Sequence, residues 1–494
     1  MNYNSTRDSK LCVTAAGAIA KGISNDGGLF VPETIPTLSD DDFNTLCSLD
    51  YIGRAKFVLK YFLTDFTEQE IDYCVRGAYS DSFDNNQPAP LKCVDGKNMN
   101  LLELWHGPTC AFKDLALQLL PYLLVTSAKK VANGKETIIL VATSGDTGKA
   151  ALEGFKDVEN TKIIVFYPQN GVSNMQKLQM DTQEGENVFV CGIKGNFDDA
   201  QSGVKKIFTN PDICKKLEEN GMQFSSANSL NWGRLVPQII YYISAYCDLV
   251  NSNKVTDGFN VVVPTGNFGN ILAAYYAKAM GVPIKKLICA SNANNVLTDF
   301  LKTGTYDRNR QFFTTISPSM DILISSNLER MLYELSGRDD AKVKDLQEKL
   351  AKDGKYTVDS QILEKIQEIF YGGCCDDAQT KDTINQIFKD YGYLCDTHTA
   401  VAVKVYKDYV DSTGDDSLTV IASTASPYKF AADVLESLGQ ATADNDFETL
   451  EKLMQISGVQ IPAPIANLKG KTPRFSNVCE KENLDTTIFD FLKI

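Results

Sequence analysis

Short, strongly apolar stretches alternate with helix-like stretches from residue 137 onwards, and this alternation restricts the fold more than any other feature of the sequence. The apolar stretches are residues 137–142 (TIILVA), 162–167 (KIIVFY) and 187–193 (NVFVCGI). Helix-forming sequence follows the first two, at residues 149–155 and 174–180. Apolar runs of this length are typical of strands that are buried on both faces and joined by helices in a parallel sheet. The sequence therefore predicts an α/β fold.

A second set of apolar runs predicts a second α/β unit. These runs cover residues 260–263, 286–290 and 418–422. Between about residues 300 and 390 the chain is polar, helix-like and rich in Lys, Asp and Glu, which indicates a helical excursion from this unit. The 494 residues are enough for more than one domain. We therefore expect two open, largely parallel sheets, preceded by an N-terminal extension.

The acidic composition disfavours several classes of protein. A formal net charge of −14 repels a phosphate backbone, which argues against a nucleic-acid binder. Only two His are present, His106 and His398, so a His-rich metal site is excluded and no metal is expected.

No apolar run approaches the roughly 20 residues that span a bilayer. The thirteen Cys include no C-x-x-C pair, a pattern typical of free thiols in a reducing compartment. We therefore expect a cytoplasmic enzyme without a membrane partner.

The segment HGPTCAFKDLALQ, which begins at His106, contains the first candidate for chemistry. Gly and Pro interrupt regular structure, and Lys113 then opens a helix with apolar periodicity. A Lys at a helix start is usually a solvated cation, but the apolar residues on both sides of Lys113 predict that it is partly buried. Burial and positive neighbours lower the pKa of an amine, which a Schiff-base lysine requires.

Three further motifs lie where strands are followed by helices, which is where open sheets bind ligands. Residues 143–149 (TSGDTGK) and 264–270 (PTGNFGN) let the backbone approach a ligand, and the amides of the second can hold a phosphate. Residues 228–234 (NSLNWGR) carry Arg234, which can bind a second phosphate. Each motif alone also fits a purely structural role. Residues 143–149 could form a capped turn, residues 264–270 a glycine turn that binds no ligand, and Arg234 could be an exposed side chain.

Together these motifs resemble the threonine synthases, fold-type II pyridoxal-phosphate enzymes with a tryptophan synthase β-like fold, in their longer microbial form. The resemblance covers about residues 5–435, and its further motifs are DGGLFVP, PQNGVSNMQ, NFDDAQ, SPSMDILISSN, DTHTAV and STA. With it we expect an N-terminal segment at residues 1–97 and a small α/β domain at residues 124–229. Residues 98–123 and 230–494 would form a large cofactor domain that includes the excursion.

The resemblance also implies a role for each matching residue. Lys113 would carry pyridoxal 5'-phosphate, Asp146 would lie near the cofactor ring, and Thr424 would meet the pyridine nitrogen. The cradle for the cofactor phosphate would consist of Gly266, Asn267, Phe268, Gly269 and Asn270. The amino-acid substrate and its phosphate would face Thr143, Ser144, Thr147, Asn228, Ser229 and Arg234.

The implied reaction is that of a lyase in threonine biosynthesis, which converts O-phospho-L-homoserine and water to L-threonine and phosphate, in a monomer or homodimer. Two alternatives stay open: a phospho-lyase of the same fold that gives a 2-oxo acid, and a non-catalytic relative that binds a phosphorylated metabolite. One departure bears on the substrate. Ser426 and Tyr428 stand where the family pattern has His and Ala, whereas Pro427 and Lys429 match it.

Overall fold

The structure is a computed structural model that describes residues 1–84, 87–131, 134–143, 145–195, 197–208, 210–254 and 257–494. Its strands are β1 (Asn2–Ser5), β2 (Asp8–Thr14), β3 (Phe30–Pro32), β4 (Leu91–Cys93), β5 (Met99–Glu103), β6 (Glu136–Ala142), β7 (Thr161–Pro168), β8 (Val188–Lys194), β9 (Met222–Ser225), β10 (Phe259–Pro264), β11 (Ile284–Ser291), β12 (Thr305–Asp307), β13 (Lys355–Thr357), β14 (Phe370–Cys374), β15 (Thr419–Ser423) and β16 (Val478–Glu480).

The helices of the described residues are α1 (Ala15–Lys21), α2 (Asp40–Ser48), α3 (Tyr51–Phe62), α4 (Glu68–Tyr79), α5 (Lys113–Val131), α6 (Asp146–Phe155), α7 (Asn174–Asp181), α8 (Phe197–Phe208), α9 (Pro211–Glu219), α10 (Trp232–Asn251), α11 (Gly269–Ala279), α12 (Val296–Thr303), α13 (Leu328–Leu335), α14 (Asp340–Asp353), α15 (Ser360–Ile369), α16 (Asp377–Tyr391), α17 (Thr397–Thr413), α18 (Ala431–Ser437), α19 (Asp446–Ser457), α20 (Ala463–Ala466) and α21 (Leu484–Leu492). Among them, none combines the length and the apolar character that a membrane crossing requires.

The larger principal sheet has six strands in the order β14-β11-β10-β15-β5-β4. All its pairs are parallel except β4 with β5. The central strand β10 (FNVVVP) is buried along its whole length, as expected of a strand covered on both faces. Val262 of β10 lies opposite Ile421 of β15. The loops that follow these two strands therefore meet at the same edge of the sheet.

The smaller principal sheet has five parallel strands in the order β16-β8-β7-β6-β9. Its inner strands β6 and β7 are almost completely buried. Helix α5 follows β5 of the larger sheet and leads into β6, so it links the two sheets. The first residue of this linking helix is Lys113.

The N-terminal segment forms a small antiparallel sheet, in the order β2-β1-β3, and the helices α1–α4. It packs on the start of α10, where the rings of Tyr3 and Trp232 are 5.4 Å apart. Arg7 forms an ion pair of 2.7 Å with Glu329 of α13. The segment is therefore tied to two elements that flank the candidate site described below.

The α/β class and the two largely parallel sheets predicted from the sequence are confirmed. Two details differ from the prediction. The excursion is not entirely helical, because β14 forms an edge of the larger sheet and β12 pairs with β13. The last strand, β16, pairs with β8 of the smaller sheet, whereas the prediction places all of residues 230–494 in the large domain. The domain division remains a proposal, in which we now assign residues 478–494 to the smaller unit.

Candidate active site

The loop before Lys113 is fastened to the end of β15. The backbone N–H of Phe112 donates to the carbonyl of Thr424 (2.8 Å), and that of Ser426 donates to the carbonyl of Cys110 (3.0 Å). Cys110 has a φ of 59°, so the chain turns there in the left-handed region. These contacts hold Lys113, at the start of α5, beside the carboxyl end of the larger sheet.

The Lys113 side chain is only 11% exposed and has two polar neighbours. Its Nζ donates to Oγ of Ser319 (3.3 Å) and lies 3.8 Å from Oδ2 of Asp146. Burial lowers the pKa of this amine to about 8; Asp146 opposes the shift, while Arg234 and Lys429 add to it. More of the amine is then neutral near pH 7 than in an ordinary, solvated lysine. A neutral amine is what attack on a carbonyl requires.

Asp146 is a buried carboxylate at the first position of α6, next to two ammonium groups. Lys429 Nζ lies 3.0 Å from its Oδ1, and Gln176 donates to the same oxygen from 3.1 Å. Burial opposes ionisation, but the charges of Lys429 and Lys113 outweigh it and hold the pKa of Asp146 well below its usual range. The carboxylate is therefore charged at all physiological pH values.

The loop between β10 and α11 forms a cradle of backbone amides. Phe268 adopts a left-handed φ of 64°, and α11 then begins at Gly269 without a side-chain cap. A Cβ on Gly266 would lie 2.7 Å from the carbonyl oxygen of Ser319. The Asn270 Nδ2 atom is buried and has no hydrogen-bond partner among the described residues. Free amides and an unsatisfied donor at a helix N-terminus fit a phosphate group.

Arg234, the third residue of α10, provides a buried positive charge on a different element from this cradle. Its Nη1 donates to the carbonyl of Ala227 (2.7 Å), and no acidic side chain in the described ranges forms an ion pair with it. Burial lowers the pKa of this guanidinium to about 10. A desolvated cation without a carboxylate is costly in a folded protein, and binding of an anion relieves that cost.

Other predicted residues lie around these two positive regions. Asn228 and Ser229 precede α10 and are partly buried, and Ser229 Oγ accepts from Asn327 Nδ2 (3.2 Å). The side-chain amide of Asn327 also donates to the backbone carbonyl oxygen of Asn267 (3.1 Å), which is an exposed residue. Asn327 therefore connects the cradle loop to the loop that precedes Arg234.

The turn after β6 uses one of its predicted ligand residues for its own structure. Thr143 Oγ1 accepts from the backbone N–H groups of Gly145 (3.0 Å) and Gly148 (2.9 Å). Its hydroxyl is thus committed to the turn, and the prediction that it faces the substrate gains no support. Thr147 lies partly exposed in the first turn of α6. Ser144 lies outside the described residues.

The two departures from the family pattern are both used in structural contacts. Ser426 Oγ accepts from the N–H of Tyr428 (3.4 Å), at the start of the 3₁₀ turn Pro427–Phe430. The Tyr428 ring is buried and its hydroxyl donates to the carbonyl of Val459. Neighbouring Thr424, at the end of β15, is also buried. The contacts of Ser426 and Tyr428 therefore hold the backbone between Thr424 and Lys429 in place.

Sequence reasoning assigned no role to Ser319, Lys429 or His398. Ser319 and His398 lie in motifs that carry the resemblance, and Lys429 matches the family pattern. Ser319 contacts Lys113, His398 contacts Ser319, and Lys429 contacts Asp146. Each of these contacts joins residues that are far apart in the sequence. No cluster of metal-binding side chains occurs in the part of the chain that the structure describes.

Three family descriptions match the chain. Residues 96–424 match "Pyridoxal-phosphate dependent enzyme", residues 2–79 match "Threonine synthase N terminus" and residues 399–485 match "Threonine synthase, C-terminal". The threonine synthase of Pseudomonas aeruginosa is 37% identical over 445 residues, which are 90% of this chain and 92% of that protein. The chain belongs to the threonine synthase family.

Similarity within the threonine synthase family extends to proteins of another name and to a solved structure. The threonine synthase-like 1 protein of Pongo abelii is 42% identical over 434 residues, 85% of this chain, but the match spans only 57% of that protein. The crystal structure of pyridoxal-phosphate-bound threonine synthase from Brucella melitensis has a TM-score of 0.88 at 34% identity and covers 100% of both chains. The predicted fold class is confirmed, and the predicted cofactor, pyridoxal 5'-phosphate, is supported as well.

The site of this threonine synthase family member fits its cofactor. Lys113 is a buried amine with a lowered pKa, and the cradle after β10 offers free amides together with the unsatisfied Asn270. Gly266 leaves room where a side chain would collide with Ser319. Thr424 lies at the end of the strand beside β10. The individual roles of these residues remain predictions.

Proposed function

We propose that the protein is a threonine synthase, a carbon–oxygen lyase that converts O-phospho-L-homoserine and water to L-threonine and phosphate. The observation that carries this proposal is Arg234, a buried guanidinium without an acidic partner among the described residues. It is near enough to Lys113 for its charge to lower the pKa of that amine. The cradle after β10 supplies one anion site, and Arg234 supplies a second for the phosphate of the substrate.

The bound cofactor supplies an electron sink that stabilises negative charge on the substrate carbons. Lys113 would hold the cofactor and, as a free amine with a lowered pKa, would move protons at the α and β carbons of the substrate. Asp146 remains ionised and holds the Lys113 amine in place from 3.8 Å. Arg234, with Asn228 and Ser229, orients the phosphate that leaves.

The backbone amides of Gly269 and Asn270, at the N-terminus of α11, would hold the cofactor phosphate. Thr424 would offer the ring nitrogen a neutral hydroxyl. A neutral partner does not favour a charged pyridinium as a carboxylate would. Proton transfer at the substrate carbons therefore depends on Lys113 more than on the ring nitrogen.

A phospho-lyase is the second candidate function. The chain is 42% identical to the threonine synthase-like 1 protein of Pongo abelii and 37% identical to the Pseudomonas threonine synthase, and the first of these names does not state the synthase reaction. Such an enzyme would share the cofactor and the phosphate site but release a 2-oxo acid. We further infer a cytoplasmic location for either enzyme, because all thirteen Cys are free thiols.

Product analysis distinguishes these functions. The purified protein is incubated with O-phospho-L-homoserine or O-phospho-L-threonine, and the amino acid, the 2-oxo acid and phosphate are measured. Threonine and phosphate in equal amounts from phosphohomoserine support the synthase. 2-Oxobutyrate as the main product supports the phospho-lyase, and binding without turnover supports a non-catalytic relative. Lys113→Ala is the matched control for non-enzymatic product.

A further inference from the structure

The 3₁₀ turn Pro318–Met320 brings Ser319 against both the candidate cofactor lysine and the phosphate cradle. Ser319 Oγ accepts from Lys113 Nζ (3.3 Å). The Ser319 carbonyl oxygen lies so near Gly266 that any Cβ there would be 2.7 Å away. The close approach of the turn therefore requires glycine at position 266, and it fixes the distance between the cradle and the serine.

His398 holds the backbone of Ser319 from the opposite side. The Ser319 N–H donates to Nε2 of His398 (3.1 Å), so this nitrogen carries no proton. The proton is then on Nδ1, which donates to Oδ2 of Asp396 (2.8 Å). The imidazole is buried, and its ring packs 4.9 Å from that of Phe430. The tautomer and orientation of His398 are thus set by its contacts with Ser319, Asp396 and Phe430.

We propose that Ser319 is a catalytic residue that holds the free amine of Lys113, and that His398 and Asp396 are positioning residues for Ser319. This inference rests on the proposed function in so far as the free amine moves protons on the substrate. Held between Ser319 Oγ and Asp146 Oδ2, the amine keeps one orientation instead of exploring the rotamers of a long side chain.

The chemistry of the neighbours explains why a hydroxyl suits this position. The charges of Asp146, Arg234, Lys429 and Asp114 already act on the pKa of the Lys113 amine. A second carboxylate next to the amine would favour the ammonium form and reduce the neutral fraction. A serine hydroxyl orients the amine by a hydrogen bond and adds no charge.

The geometry also separates this role from a purely structural one. The backbone N–H and carbonyl of Ser319 make the contacts with His398 and Gly266, whereas the side chain contacts Lys113. Ser319→Ala therefore preserves the turn and removes only the hydroxyl next to the amine. Thr314→Ala is the matched control, since it removes an exposed hydroxyl from the same loop.

The first test measures Lys113 without any substrate. Full-length protein freed of cofactor is acetylated competitively over a range of pH, and mass spectrometry follows the peptide that contains Lys113. Ser319→Ala should move the midpoint of Lys113 labelling to lower pH, because the ammonium loses an acceptor. Thr314→Ala should leave the midpoint where it is in the wild type. A Ser319→Ala profile that overlays the wild-type profile would overturn the assignment.

The second test measures turnover after the cofactor is restored. Ser319→Ala should lower kcat about 2- to 13-fold, as expected for the loss of one hydrogen bond to a neutral amine, with KM within about twofold. His398→Gln should retain most of the activity, because its amide oxygen can accept from the Ser319 N–H, whereas His398→Ala should not. Equal activity in these two variants, when both are folded by circular dichroism, would overturn the positioning role.

The two tests separate this inference from the proposed function. If the wild type forms no threonine but Ser319→Ala still shifts the labelling of Lys113, the proposed function fails while the contact between serine and amine stands. If the wild type forms threonine and Ser319→Ala matches it in labelling and kcat, only the inference about Ser319 fails.

Discussion

The Lys429 ammonium lies 3.0 Å from Oδ1 of Asp146, and the two side chains are 1% and 3% exposed. Lys429 also donates to the carbonyl of Thr109 (2.8 Å) and to Gln179 (3.3 Å). The second oxygen of Asp146 faces Lys113. This buried pair therefore keeps a carboxylate ionised next to the candidate cofactor lysine.

Removing the ammonium from this pair should destabilise the protein strongly. In Lys429→Met the Asp146 carboxylate loses its nearest countercharge in a buried site, and we expect the free energy of unfolding to fall by about 3–5 kcal/mol. Urea denaturation followed by fluorescence measures the change. Lys404→Met is the control, because its pair with Asp408 is partly exposed and should cost at most about 1 kcal/mol. Equal losses in the two variants would contradict the role of the buried pair.

Reduction of the holoenzyme should identify the lysine that carries the cofactor. Borohydride is expected to fix the cofactor to the peptide containing Lys113, because this buried amine has a lowered pKa and adjoins the phosphate cradle. Peptide mapping by mass spectrometry measures the position of the label. Lys113→Ala should bind the cofactor weakly and give no stable label. A label on any other lysine would refute the assignment.

The rate of cofactor capture should depend on pH through the Lys113 amine. Only the neutral amine attacks the aldehyde, so for a lysine whose pKa is lowered to about 8 the rate should rise with pH and level off above about 8. Absorbance after mixing cofactor with the cofactor-free protein measures this rate. Asp146→Asn removes the negative charge that opposes the lowering of the Lys113 pKa. The midpoint of the rate against pH should therefore lie at lower pH in this variant than in the wild type. A wild-type midpoint near 10.5, the ordinary value, would show that the amine is solvated.

Arg234→Ala should weaken binding of the substrate phosphate. A charge-assisted contact in a buried site contributes about 1.5–3 kcal/mol, which corresponds to about a 10- to 150-fold change in affinity. Inhibition by inorganic phosphate and the KM for phosphohomoserine measure the effect, while the cofactor spectrum should stay the same. Arg76→Ala removes an exposed arginine as a control. Unchanged phosphate inhibition in Arg234→Ala would mean that the guanidinium serves only the fold.

Thr424→Val should weaken cofactor binding while the strand end remains intact. Valine has the same shape and preserves the backbone contact with Phe112, so only the hydroxyl is lost. The loss of one hydrogen bond is worth about 0.5–1.5 kcal/mol, or roughly a 2- to 13-fold rise in Kd. Titration of the cofactor by absorbance measures Kd, and circular dichroism checks the fold. An unchanged Kd would show that the hydroxyl does not meet the ring.

Much of the fold follows from local sequence patterns. The apolar runs that became β6, β7, β8, β10 and β15 are long enough to mark strands buried on both faces. Strands β14 (FYGGC) and β16 (VCE) gave no such signal, because one contains two glycines and the other has only three residues. Both lie at sheet edges, where packing on neighbours rather than propensity decides the structure.

The candidate site was predictable where chemistry is local and not where it depends on distant contacts. Lys113 opens a helix as its sequence indicated, but its contact with Ser319 joins residues 206 positions apart. No spacing rule connects such a pair. The motif around Thr143 suggested a ligand contact, yet its hydroxyl bonds to nearby backbone amides, a local interaction that small polar residues often prefer.

The pairing of β16 with β8 has a consequence for synthesis on the ribosome. Lys194 and Glu480, which close this pair with an ion pair of 2.6 Å, are 286 residues apart. At roughly 5–20 residues per second, translation of that interval takes about 15–60 s. Throughout this time the outer edge of β8 has no β16 to pair with, and unpaired strand edges attract other strands. The nascent chain must therefore leave one sheet unfinished until residue 480 has emerged, and for that time the edge of β8 is open to pairing with other strands.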